Sequence, residues 1–187
     1  MSASSYSVLL AFTFLFLIFT LQFIRVRNSG SEFLGSPTLD KFNFYSAKAV
    51  IFITWALFII KAISPKFGYF SFPAGISWVA VAMLYPGVII VSVSMINLGK
   101  SLKVGLPSGE TTLQTHGLYR YSRNPLYVGV HLITLASCIY FPDLLNISFA
   151  IYGIYLHHLI IRQEEHFLKR RFGNSWMVYC SKVRRYI

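Results

Sequence analysis

Acidic residues are scarce in this chain. Six Asp and Glu stand against seventeen Lys and Arg in 187 residues, a formal net charge of +11. Charged residues of both signs make up only 12% of the sequence, about half of what a soluble domain carries. That excludes an ordinary soluble globular protein. The basic excess alone would suit a nucleic-acid binder, but such proteins are polar, and here 55% of residues are hydrophobic and mean hydropathy is +0.58. Cysteine is nearly missing too. Cys138 lies in an apolar run and Cys180 in a basic segment, so no disulfide framework is expected. Internal repeats and low-complexity linkers are absent, and no metal site is read from the sequence.

Long apolar runs are what the chain has instead. Residues 7–24 carry no charge and are long enough to cross a bilayer. A signal peptide would need a positive leading segment, which residues 1–6 lack, so a retained helix is expected. Residues 49–63 form a second run, with Lys61 near its end placed to snorkel. Residues 76–96 form a third, and Pro86-Gly87 midway predicts a kink. Residues 126–141 and 144–161, separated by Pro142-Asp143, predict a tight helical hairpin. The fold class is therefore all-α: an integral membrane helical bundle of about five transmembrane helices, ending in that hairpin and a cytoplasmic C-terminal helix. One membrane domain covers 1–187, with N-terminal helices in 1–96 and a functional core in 97–187.

Charge tests this layout. Five spans put fifteen of the seventeen basic residues on one side, in the first loop, the third loop and the tail; only Lys61 and Lys66 fall opposite. The positive-inside rule then predicts an N-terminus outside and a cytoplasmic C-terminus. The connection over residues 28–43 reads as a polar loop, with Phe33, Phe42 and Phe44 as interfacial aromatics.

Two segments of the basic side carry chemistry-bearing residues. The first runs from Thr111-Thr112-Leu113-Gln114 through Gly117-Leu118-Tyr119 to Arg123-Asn124-Pro125-Leu126-Tyr127 and Gly129. Pro125 suits the first turn of a helix, where its missing N–H costs little. Tyr127 offers a ring and a hydroxyl, and Gly129 allows close backbone approach. The second segment holds Arg162, Glu164 and Glu165, then Leu168, Phe172-Gly173, Trp176 and Tyr179. Glu165 has Lys169 one turn on, as in a plain solvated ion pair. Glu164 has Leu168 there, which leaves its carboxylate for something outside the chain.

Gly-Leu-Tyr-x-x-x-Arg-Asn-Pro-x-Tyr-x-Gly, a hairpin, then Glu-Glu-x-x-Leu-x-x-x-Phe-Gly-x-x-Trp-x-x-Tyr resembles the membrane methyltransferases typified by isoprenylcysteine carboxyl methyltransferase, and the phospholipid methyltransferases look similar here. The likeness spans about residues 97 to 182. It implies methyl transfer from S-adenosylmethionine to a lipophilic acceptor, with Thr111, Thr112, Leu113, Gln114, Tyr119, Asn124, Pro125, Leu126, Tyr127 and Glu164 around the cofactor. Arg123 and Arg162 are candidate clamps for an acceptor carboxylate, and Glu165 a candidate base for an amine or thiol. The sequence departs from the family pattern at Thr111 and Asn124, both usually His. It departs again at Ile160, where the carboxyl methyltransferase has an Arg that holds substrate. The acceptor therefore stays open.

Three other readings fit the sequence. His131, with His157 or His158, could bracket a haem between the hairpin helices. Arg123, Pro125 and Tyr127 are also similar to a segment of membrane sterol reductases, which bind NADPH. A non-enzymatic membrane scaffold is the third.

Overall fold

The computed structural model describes residues 1–30, 33–68, 73–107, 109 and 111–186. Five α-helices account for most of them: α1 (Ala3–Asn28), α2 (Lys41–Ile63), α3 (Ala74–Leu98), α4 (Pro125–Tyr140) and α5 (Leu144–Lys182). Local chemistry fixes their starts. Ser2 accepts from the Ser5 N–H, and Asp40 accepts from the backbone and side-chain amides of Asn43 at 3.0 and 2.6 Å. Asp143 accepts from Leu145 N–H at 3.0 Å, and Pro125 opens α4 at a position that needs no N–H.

α1, α2, α3 and α5 are each long and apolar enough to cross a membrane. α4 has 16 residues, about 24 Å at the usual helical rise, somewhat short of the ~30 Å hydrocarbon layer. Pro86 sits inside α3 without ending it. α2 begins at Lys41, so Phe42 and Phe44 belong to a helix and not to a polar loop. Phe44 is a correction in environment as well: it is 1% exposed and packs with Ala47, Leu156 and Ile160. Lys61 directs its ammonium to the carbonyls of Pro65 and Phe67, at 2.9 and 2.6 Å, beyond the end of α2.

The interior is built for a bilayer. Phe12, Phe58, Leu84 and Ile133 are fully buried, while Leu10, Leu17, Ile53, Ile89 and Ile151 lie on the outside. Lipid offers helices no hydrophobic drive to associate, so close backbone contact and internal hydrogen bonds take its place. α3 and α4 meet at Gly87 and Gly129, where a β-carbon on either would stand 2.8 or 2.7 Å from a side chain of the facing helix. Trp55 Nε1 donates to Thr134 Oγ1 at 3.2 Å, and Ser137 Oγ donates to the Thr54 carbonyl at 2.9 Å.

At one end the three basic segments are knitted together. Residues 33–36 pair with 104–106 through four backbone hydrogen bonds of 2.8 to 2.9 Å. Gly35 and Gly105 permit this approach, since a β-carbon on either would strike the opposing carbonyl. The tail joins through Arg123 N–H to the Arg184 carbonyl at 2.9 Å. α5 continues well past its apolar run before Gly173, at φ +50°, turns it. That turn brings Trp176, Tyr179 and Val183 back against Leu113, Leu168 and Phe172.

Candidate active site

The loop between α3 and α4 is anchored before it reaches the site. Asn97 Oδ1 accepts from Leu118 N–H at 3.0 Å. Gly117, at φ +62°, leaves room for the Asn97 side chain where a β-carbon would collide with it. Tyr119 is buried, and its carbonyl accepts the hydroxyl of Tyr179 from beyond the Gly173 turn. Loop, α4 and α5 thereby enclose a cleft of about 160 Å³.

Thr111, Thr112, Leu113, Gln114, Tyr119, Asn124, Leu126, Tyr127 and Glu164 all line this cleft, and so does Arg123. Pro125 is buried behind it as the first residue of α4. Arg162 is exposed and away from the cleft, and Glu165 lies behind its wall. Sequence reasoning assigned no place in the site to Lys103, Phe167, Leu168, Trp176 and Tyr179, which line it together with Leu98, Ser101 and residues 105–107. Trp176 and Tyr179 stood in the motif, and the chain reversal at Gly173 is what turns them inward.

The two neighbouring glutamates do different things. Glu165 meets not Lys169 but Arg123 and Arg185, with N–O distances of 3.0 and 2.8 Å, and accepts from Asn124 Nδ2 at 3.0 Å. Burial alone would raise its pKa, but the bonds from Arg185 and Arg123 outweigh that and hold its carboxyl below the usual range. Arg123 also donates to the Val183 carbonyl at 2.9 Å, and its guanidinium lies 5.9 Å from the Trp176 ring. This cluster is saturated, and it fixes the start of α4 against the tail. No local sequence signal links Glu165 to Arg185.

Glu164 faces the other way, into the cleft. The Tyr127 hydroxyl donates to its Oε1 at 2.9 Å. Among the described residues no basic group lies within 4.0 Å of it. The apolar run of α5 ends at Ile161, so Glu164 lies beyond the span. Burial is the main cause that raises its pKa to about 7, opposed by the Lys48 charge and the Tyr127 bond and assisted by Glu165. A carboxylate held among protein atoms, open to a cleft and with no base in contact, is prepared for a cationic ligand.

Residues 76–175, from the start of α3 to just past the Gly173 turn, match the phospholipid methyltransferase family. The chain belongs to that family of integral membrane methyltransferases. No curated protein matches it. Family membership makes it a membrane methyltransferase that uses a methyl donor. The phospholipid methyltransferase region takes in α3, which the motifs left out. It stops before Trp176, so the last wall of the cleft and the Arg185 contact lie beyond it.

Proposed function

We propose that the protein transfers a methyl group from S-adenosylmethionine to an amphiphilic acceptor on the cytoplasmic side of the membrane. The observation that carries the donor assignment is Glu164: a cleft-facing carboxylate, oriented by Tyr127, with no base in contact. The donor set fits the cofactor group by group. Glu164 suits its ammonium. Leu113, Leu126, Leu168 and Trp176 offer apolar and aromatic surface for its adenine, and Thr111, Thr112 and Gln114 offer polar edges. The enclosed 160 Å³ is below the roughly 300–1,000 Å³ of pockets that swallow a ligand whole, so such a ligand also occupies the open mouth beside residues 105–107.

When bound, S-adenosylmethionine supplies an electrophilic methyl on a sulfonium, displaced in line by the acceptor. The chain's task is then alignment and exclusion of water. Tyr127 and Glu164 hold the floor, and the Arg123–Glu165–Arg185 cluster keeps the start of α4 from shifting. Arg123 and Glu165 thus act as positioning residues, and Arg162, exposed and away from the cleft, is not part of this arrangement. The bilayer orientation follows the charge: the end that gathers the first loop, the third loop and the tail faces the cytoplasm, and the N-terminus lies outside.

Calorimetric titration with S-adenosylhomocysteine and with NADPH tests the donor. S-adenosylhomocysteine binds in the expected outcome, and Glu164→Gln weakens it about tenfold or more through loss of a charge-assisted contact. Because the ammonium prefers an ionised carboxylate, wild-type affinity falls as pH drops below about 7, and the variant loses that dependence. Binding of NADPH alone, or of neither ligand, overturns the assignment.

A further inference from the structure

Beneath the Tyr127–Glu164 floor lie polar groups that the methyl-donor cleft does not use. α2 and α5 run antiparallel: the Ser46 and Tyr152 hydroxyls meet at 3.2 Å, Gly153 packs on Val50 and Ile51, and Phe44 and Ala47 pack with Leu156 and Ile160. Lys48 on α2 therefore comes level with His157 on α5. Its ammonium stands 4.7 Å from the Phe44 ring centroid, and its charge acts on both Glu164 and His157. Among the described residues no carboxylate lies within 4.0 Å of it.

His157 is 4% exposed and its Nδ1 has no hydrogen-bond partner. Its ring is 5.4 Å from that of Tyr127 and 6.0 Å from that of His131, whose Nε2 is also unpartnered. A half-buried cation and two orphaned imidazole nitrogens in one place are costly unless something satisfies them. None of the three lines the cleft, whereas Tyr127 and Glu164 do. A group that satisfied them would lie across the Tyr127–Glu164 floor from the cleft.

We propose that Lys48, with His157 beside it, holds the anionic group of the acceptor: a carboxylate or phosphate carried by an amphiphile. The word acceptor rests on the methyltransferase reading; the anion site itself does not. Lys48 supplies the charge, and the His157 ring the neighbouring hydrogen-bonding edge. In sequence, Lys48 counts only as one more positive-inside residue. The α2–α5 packing is what places it at the site.

The test uses the full chain in a non-ionic detergent and reads stabilisation against unfolding by oleate, dioleoyl phosphatidic acid and the neutral oleyl alcohol. Wild type is stabilised by at least one anionic amphiphile and not by oleyl alcohol; which of the two works names the group as carboxylate or phosphate. Lys48→Gln weakens that binding about tenfold, as loss of a desolvated charge contact does, while Lys48→Arg retains it. Equal response to oleyl alcohol overturns the site in the wild type alone, whatever the variants' fold. Unchanged anion binding by a Lys48→Gln protein that unfolds at the wild-type temperature overturns it too. Should S-adenosylhomocysteine fail to bind while the Lys48-dependent response persists, the donor assignment falls and the anion site stands.

Discussion

Glu164 and Glu165 are adjacent in sequence and opposite in electrostatics, because consecutive helical residues point about 100° apart. Their pH linkages are therefore of opposite sign. Glu165 is held below the ordinary carboxyl value of 4.5, so its stabilisation is present above that value and lost as pH falls through the folded pKa. Glu164 is raised to about 7, so its contribution is full below the unfolded value of 4.5 and lost as pH rises through 7. Unfolding midpoints across pH are expected to peak between those limits. Glu165→Gln removes the acid limb and costs about 3 kcal/mol, the low end for a broken buried pair, since of the two arginines left only Arg123 is largely buried and Arg185 reaches water. Glu164→Gln removes the alkaline limb. A flat profile in the wild type would refute both assignments. The sequence already separated Glu164, which has Leu168 a turn away, from Glu165. It could not name Arg123 and Arg185, since contacts across 42 and 20 residues leave no local periodicity.

At the scale of elements, the α3–α4 contact controls where Tyr127 stands. Gly129 lies two residues beyond Tyr127 and touches the Gly87 carbonyl region and Val91. Gly129→Ala puts a β-carbon 2.7 Å from Val91 Cγ2 and 2.8 Å from the Gly87 oxygen; the backbone contact cannot yield cheaply. Overpacking of this kind costs about 1–3 kcal/mol. It is expected to lower the unfolding temperature and weaken S-adenosylhomocysteine binding together, by tilting the start of α4. An unchanged affinity in a destabilised protein would separate the helix contact from the site. Gly129 was legible as a close approach, but its partner Gly87 was read only as half of a kink. Helix positions were legible throughout because uncharged runs mark them directly. Ends were not: Asp40 caps α2 earlier than hydropathy suggests, and nothing before Gly173 stops α5 when the apolar residues run out.

Across the whole molecule, polarity is segregated along the bundle axis. Basic loops and tail share one end, and Lys61 and Lys66 lie at the other. If the positive end is cytoplasmic, a reporter active only in the cytoplasm works when fused after residue 187, and one placed before residue 1 stays silent. The reverse pattern would invert the proposed orientation. Fold class was readable because an apolar, acid-poor sequence leaves few alternatives. What charge counting could not supply was contact between those loops. Residues 33–36 lie outside the region that marks the family, yet their pairing with 104–106 places the Gly105–Leu106 wall of the cleft. The region that matches the family therefore does not carry all of the cleft's supports by itself. Grafted onto foreign leading helices, it would inherit the cleft's residues without the edge that shapes their enclosure, and an exchange that respects function has to carry residues 33–36 along with it.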